Sequence, residues 1–336
     1  MATVIDIPTH PPTLNDSTTT NNTTTTTTTT TDPTDPNSPP NPYAAARKAL
    51  DRDGFVILPA TLFPSFDLPK LRAAATRLTT LARAGDWPYI RTLPKQFPPW
   101  SSDASHGIWG IQHLLHPTNP DSLTFQASYF DAELLKYASA LIGCAADELV
   151  MELYNMLIRP THGPWSLRWH RDDIPATTPP DEELHRLLQP SHHTQWNLAL
   201  YPDSSLVVIP HSHTRGRTPR ERSCDPYDAA LPGQKVVRLR EGEVVFYNNN
   251  ILHRGVYDER VERATLHGSI GSVGGSKVRA RNVLQHGVGE WVGRCDFAGL
   301  GEEMRGVAEG MRGRLVELGK VIVVVAVVCS ILLFLN

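Results

Sequence analysis

The chemistry in this sequence is concentrated in Trp169-His170-Arg171-Asp172-Asp173. Side chains alternate faces along a strand, so residues two apart point the same way. His170 and Asp172 then set an imidazole beside a carboxylate, two ligands for a metal ion. A third has to come from another element. His253, in Asn248-Asn249-Asn250-Ile251-Leu252-His253-Arg254-Gly255, is the candidate among fourteen histidines. Two imidazoles and one carboxylate on one face, with the opposite positions open, form the ligand set of non-haem Fe(II) oxygenases. Asp172 has to be ionised to serve, and an inward-facing carboxylate without a cation is costly. Asp173 faces the other way and reads as a surface or turn-capping carboxylate.

Arg263 stands ten positions after His253, at the start of the last strand. An oxygenase of this kind needs an electron-donating co-substrate. A keto acid chelates iron through its ketone and one carboxylate, and its far carboxylate needs a cation. Arginine suits that place because its fork binds a carboxylate bidentately and keeps its charge.

The elements that must position these groups follow from periodicity. From Glu148 onward about eight short strands are expected, over 150–158, 167–170, 194–201, 205–209, 236–239, 244–247, 252–257 and 263–270, separated by Pro, Gly, Asp and Asn. That spacing predicts a jelly roll or barrel with the metal at its mouth. A helical flank precedes it: helices over 43–53, 67–84 and 131–142, each stopped by a glycine, and a strand over 55–58. Residues 86–128 carry Trp87, Trp100, Trp109, His106, His113 and His116 without a clean period, and read as a loop-rich cap packing aromatics. A short helix is expected over 181–189. The domain spans 43–300, followed by a helix or linker over 301–320.

Composition narrows the class. The 336 residues carry a net charge of −3, and no basic pattern suited to reading a groove stands out, so nucleic acid is set aside as a partner. Cys144, Cys224, Cys295 and Cys329 lie far apart without a Cys-x-x-Cys pair, against a disulfide framework or a structural zinc site. The start, Met1-Ala2-Thr3-Val4-Ile5-Asp6, has neither a basic stretch nor an apolar core, and the expected location is intracellular. Residues 1–42, rich in Thr and Pro, have too little apolar surface to offset the entropy of ordering and are expected to be disordered. Residues 321–335 are apolar apart from Cys329 and Ser330. Fifteen helical residues reach about 22 Å against a hydrocarbon core of ~30 Å. Leu315, Val316 and Leu318, with Lys320 snorkelling, lengthen the stretch into a candidate tail anchor that leaves the catalytic domain facing the cytoplasm.

Five segments occur in a telling order: Asp53-Gly54-Phe55-Val56-Ile57-Leu58, Trp169-His170-Arg171-Asp172, Leu206-Val207-Val208-Ile209-Pro210-His211-Ser212-His213, Glu241-Gly242-Glu243-Val244-Val245-Phe246-Tyr247 and Leu252-His253-Arg254-Gly255. Over roughly residues 45–272 the chain resembles the phytanoyl-CoA dioxygenase family of Fe(II)/2-oxoglutarate oxygenases. The resemblance implies a mainly β architecture with flanking helices and a double-stranded β-helix (jelly-roll) core. It implies His170, Asp172 and His253 as iron ligands, Arg263 at the distal carboxylate of 2-oxoglutarate, and Trp196 on the strand lining the co-substrate pocket. The reaction implied uses O2, hydroxylates a small organic substrate and releases succinate and CO2. Related halogenases replace the carboxylate ligand with a small residue, so the presence of Asp172 favours hydroxylation. The chain departs from the family at His211, where glycine usually serves the turn, and His213 reads as a structural residue. Two other classes stand beside this reading: a non-catalytic jelly-roll binding module, and a cupin-like metalloenzyme that uses no keto acid. The triad together with Arg263 speaks against the first; the effect of Arg263 on 2-oxoglutarate affinity separates the second. The run Arg215, Arg217, Arg220, Arg222 reads as a solvated loop–helix face with Thr218 as its cap, or as a hold for an anionic substrate.

Overall fold

Asn41 opens the first helix by local chemistry. Its side-chain oxygen accepts the N–H groups of Tyr43 (3.0 Å) and Ala44 (3.3 Å), donors that a helix start leaves without partners. Pro42 takes the first helical position and Gly54 (φ 82°) ends the helix in the left-handed conformation, which defines α1 (Pro42–Asp53). A computed structural model of the chain describes residues 41–285 and 287–333, of which 320–333 as backbone only. The disorder expected over 1–42 therefore falls, up to residue 40, outside the described residues, while Asn41 and Pro42 belong to the helix start.

The chain continues through β1 (Phe55–Leu58), α2 (Leu68–Ala84), β2 (Ile90–Thr92), β3 (Ile108–Ile111), α3 (Ser122–Tyr129), α4 (Ala132–Ile142), β4 (Leu149–Ile158), β5 (Trp165–Ser166) and α5 (Pro180–Leu187). It then forms β6 (His193–Ala199), β7 (Leu206–Ile209), α6 (Pro219–Ser223), β8 (Lys235–Val236), β9 (Val244–Tyr247), β10 (Leu252–Tyr257), β11 (Ala264–Ser272), α7 (Lys277–Gln285) and α8 (Glu302–Leu333). One antiparallel sheet runs β1-β9-β6-β11-β4-β3-β2 and the other β5-β10-β7-β8.

Alternation along the strands decides what faces what. Phe55, Ile57, Ala199, Val245 and Tyr247 of the large sheet pack against Leu206 and Val208 of the small one, so the two sheets share a core. The intervening residues Val56, Leu58, Trp196, Leu198, Val244 and Phe246 point the other way, into the layer shared with the helices. On β6 this leaves Gln195 and Asn197, both polar, facing the interior between the sheets.

Trp196 is thus corrected. It lies on the helix side of β6, 1% exposed, its ring 5.5 Å from Tyr129 and 5.8 Å from Phe246 between centroids. A side chain one residue out of phase with the pocket cannot line it. Gly268, paired with Trp196 across β11, gives the indole its space; a Cβ there would sit 2.2 Å from the ring.

Of the helix or linker expected over 301–320, the helix is what forms, within α8. Ala308, Met311 and Leu315 are fully buried, and Arg314 Nε donates to Leu149 O at 2.6 Å, which ties α8 to β4. The candidate anchor over 321–335 lies outside the residues whose side chains are described. Among the described residues no helix is long and apolar enough to cross a membrane.

Candidate metal centre

The first ligand segment leaves regular pairing. β5 ends at Ser166, Trp169 N–H turns to Pro226 O (2.8 Å), and pairing resumes only at the His170–His253 bridge, whose two backbone bonds measure 3.0 and 3.1 Å. That bridge brings the two histidines of separate elements face to face, with ring centroids 4.2 Å apart. Asp172 is fixed one step further by its N–H to Asn249 O at 3.0 Å. The outcome is a set of three ligand atoms, from His170, Asp172 and His253, all within 4.8 Å of one another. Asp172 Oδ1 lies 3.4 Å from His170 Nε2 and 3.7 Å from His253 Nε2.

Each ring is turned by its other nitrogen. His170 Nδ1 lies 2.9 Å from Arg168 O and His253 Nδ1 2.9 Å from Ile251 O, so the Nδ1–H donates and the Nε2 lone pair faces the common point. Burial opposes charge on Asp172, but His253, His170 and the Gln195 amide outweigh it and hold the carboxyl below the usual carboxylate range. Burial, together with the neighbouring His170, lowers His253 to about 4. His253 is thereby neutral and Asp172 ionised at neutral pH, the protonation states a divalent metal requires of them.

The triad lines a cavity of about 280 Å³ between the sheets. Arg263 lies in the same cavity, 7% exposed, with its Cζ 4.3 Å from the Tyr257 ring centre and its Nε 3.4 Å from Asp203 Oδ1. Its Nε and Nη1 make no hydrogen bond. Asp203, which Ser205 and Thr265 also bond, pairs with the Nε edge by charge, and Nη1 remains a buried donor without a hydrogen-bond partner. A buried donor of this kind costs free energy until an acceptor arrives.

Several lining groups carried no sequence signal. Arg91 reaches the cavity from β2 because Gly110, its cross-strand partner, lets the arginine stem lie flat, where a Cβ would meet Arg91 Cδ at 2.9 Å. Desolvation lowers its guanidinium to about 10, and its Cζ sits 5.2 and 5.4 Å from the Trp100 and Trp109 rings. Asn197 and His267 face the same space, with His267 Nδ1 2.8 Å from Asn197 Oδ1. Asp173, expected to face away from the metal, borders this cavity and a second one of about 550 Å³. It bonds Asn249 and lies 3.9 Å from Arg279 Nη1, so its role is to close the wall between them.

His211 adopts the left-handed conformation (φ 63°) that glycine takes at that turn, held by Asp53 O on its N–H (3.1 Å) and Arg52 O on its Nδ1 (2.6 Å). His213 donates through Nε2 to Asp51 O at 3.1 Å and stands apart from the triad. The arginine run divides: Arg217 is buried and Arg222 half-buried, both bonded to Glu183, whereas Arg215, paired with Glu221, is half-buried and Arg220, paired with Asp228, is exposed; Thr218 caps α6.

Burial also lowers His267, to about 3, with Arg91 adding to it. Histidine in an unfolded chain titrates near 6.5, so below that pH the unfolded state binds protons that folded His253 and His267 refuse. Stability of the metal-free protein is expected to fall as pH drops from about 6.5 towards about 4. Urea midpoints across this interval check it; a His267→Gln variant should show a shallower decline.

The sequence profile of the phytanoyl-CoA dioxygenase family matches residues 50–256. The chain belongs to the phytanoyl-CoA dioxygenase family. As a family member it is an Fe(II)- and 2-oxoglutarate-dependent oxygenase. No curated protein matches it. Among solved structures it is similar to EctD from S. alaskensis, determined with 2-oxoglutarate and 5-hydroxyectoine, at 22% identity and TM-score 0.49, covering 69% of this chain and 76% of that one. It is also similar to AviO1 from Streptomyces viridochromogenes Tue57, at 17% identity and TM-score 0.46, over 68% and 95% of the two chains. The epimerase SnoN, in complex with Fe3+, alpha ketoglutarate and nogalamycin RO, shows 15% identity and TM-score 0.45, over 69% and 84%.

Proposed function

We propose that His170, Asp172 and His253 hold Fe(II), that Arg263 takes the distal carboxylate of 2-oxoglutarate, and that the reaction is hydroxylation of a C–H bond in a small organic substrate. The observation that carries this reading is one cavity holding both a three-ligand set and a buried guanidinium fork without a hydrogen-bonding partner on Nε or Nη1. The donor set suits the metal: two imidazole nitrogens, one carboxylate oxygen, and open positions towards the cavity. The fork suits the acid, since a carboxylate would satisfy donors that the fold leaves unpaired. Arg91 adds a second positive charge on the same wall.

The chain's own part is to bind, orient and exclude water. Tyr257 lies against Arg263 and keeps the fork from sweeping the cavity. Phe97, Trp100, Leu153, Leu157 and Leu167 make the apolar part of the lining, and the Phe97 ring stands edge-on to His170 with centroids 5.8 Å apart. When bound, Fe(II) and 2-oxoglutarate would supply the electrons that activate O2, one oxygen atom going to succinate as CO2 leaves and the other to the hydroxylated substrate. The cavity is of a size for small ligands, which supports a small prime substrate.

Anaerobic titration with Fe(II) and then 2-oxoglutarate tests the assignment through the visible charge-transfer band of the chelate. The native chain is expected to give a saturable band. Arg263→Ala should bind 2-oxoglutarate about 10- to 100-fold more weakly, the effect of losing about 1.5–3 kcal/mol of charge-assisted hydrogen bonding. An unchanged 2-oxoglutarate affinity in that variant would leave a metalloenzyme without keto-acid chemistry at this arginine.

A further inference from the structure

The three candidate ligands differ in what holds them. His170 and His253 are oriented by carbonyls two residues back on their own backbone, which no side-chain substitution removes. Asp172 is held by a side chain: Gln195 Nε2 donates to its Oδ2 at 2.8 Å. Gln195 projects from β6 into the space between the sheets, 6% exposed, its place fixed by pairing with Tyr247 on one side and Ser269 on the other.

A carboxylate can ligate a metal through one oxygen or through both, and the second mode occupies an additional coordination position. With Oδ2 bonded to the amide, Oδ1 is the oxygen left towards the two imidazoles. A side chain free to rotate about its last bond would bring both oxygens to the metal. An open position is what an oxygenase site needs for its other ligands.

We propose that Gln195 is a positioning residue that fixes Asp172 as a one-oxygen ligand and so keeps the remaining coordination positions free. This inference rests on the assignment of His170, Asp172 and His253 as the metal ligands.

Cobalt(II) titration of the full chain, followed by visible d–d absorption, tests it without turnover. Absorptivity of Co(II) falls as its coordination number rises, so the spectrum reports the carboxylate mode directly. The native chain is expected to bind with a saturable spectrum that Asp172→Ala loses. Gln195→Met removes the donor at nearly constant volume and should weaken Co(II) binding about 10- to 100-fold, the usual effect of deleting a ligand's outer partner. The spectrum of the ion it does bind should be weaker, as a second Asp172 oxygen enters. Gln195→Asn keeps the amide but withdraws it by one methylene, and should shift both readouts the same way; its circular dichroism melt guards against a folding defect in the larger change. Folded Gln195→Met and Gln195→Asn proteins with native affinity and native spectrum overturn the proposal. A native chain without saturable binding, or an Asp172→Ala variant that retains it, overturns the ligand assignment and the role of Gln195 with it.

Discussion

Asp172→Ala is expected to erase the thermal stabilisation that Fe(II) confers and to abolish succinate formation, while the metal-free melting temperature stays near that of the native chain. The asymmetry comes from what surrounds the carboxylate. In the metal-free protein burial lowers His253 to about 4, so at pH 7 that imidazole is not a cation beside Asp172. Removing the Asp172 carboxylate discards a charge that burial penalises, together with one hydrogen bond to Gln195, and the two effects oppose each other. With metal present, Asp172 would supply the negative charge of the proposed ligand set. A ligand at 100 times its dissociation constant stabilises the folded state by about 2.7 kcal/mol. For a chain of this size that is a rise of roughly 4 °C, which the variant should lack. Anaerobic melting curves with and without Fe(II), beside a succinate assay, give the result. A variant stabilised by Fe(II) as much as the native chain would place the metal elsewhere. Asp173→Asn is the matched control, because Asp173 closes the wall between the two cavities and should leave the iron effect intact.

The second large effect lies behind the ligand segment. Arg171 stands between His170 and Asp172, so its side chain takes the opposite face, where it is buried. There Arg171 Nε bonds Glu183 Oε1 at 2.9 Å, and its remaining nitrogens donate to the carbonyls of Ser212 (2.8 Å), Arg215 (2.9 Å) and Asn250. Glu183, with no side-chain exposure, also receives Arg217 and Arg222. Burial alone would raise the Glu183 carboxyl, but the bonds from Arg217 and Arg171 hold it below its ordinary range. Glu183→Ala strips the central anion from buried Arg171 and Arg217. Removing one partner of a buried pair typically costs about 3–5 kcal/mol, and that loss is expected in urea unfolding. Because Arg171 also ties the ligand segment to Asn250, just ahead of His253, Fe(II) affinity should fall with stability. A loss below about 1 kcal/mol, the range of exposed ion pairs, would mean the network is dispensable.

Much of this arrangement was legible in the sequence, and the reasons are local. His170 and Asp172 come together as two-residue alternation predicts, although His170 pairs only as an isolated bridge and Asp172 lies in a bend, and Asn248-Asn249-Asn250 marks the turn that returns His253 beside them. β1, β7, β9 and β10 follow the apolar runs residue for residue or nearly so, since turn residues bound them sharply. Arg263 could be singled out because co-substrate chemistry asks for a cation near the end of the strand series. What escaped was long-range. Arg91 reaches the site only because Gly110 lies across from it, and nothing in β2 announces that pairing. Gln195 and Trp196 are neighbours on one strand, and the sheet's orientation between two cores decides which of them meets the cavity. Polarity was the available signal: Gln195 and Asn197 alternate with apolar Trp196 and Leu198, which marks the site face of β6. Arg217 and Arg222 looked solvated because their partner, Glu183, is supplied by α5, some thirty residues earlier.

The alternation at 170–172 carries a further meaning for how the chain reaches its folded state. A slip of one residue would turn the Arg171 guanidinium into the cavity, and would press His170 and Asp172 against the Glu183 cluster. The cavity side already holds Arg91 and Arg263, so a third cation there would meet repulsion, while Glu183 would lose the partner that neutralises it. Both faces of the segment therefore penalise the same error. The segment is aligned by charge on both its faces, and the proposed site inherits its alignment from an ion network on the side away from the cavity.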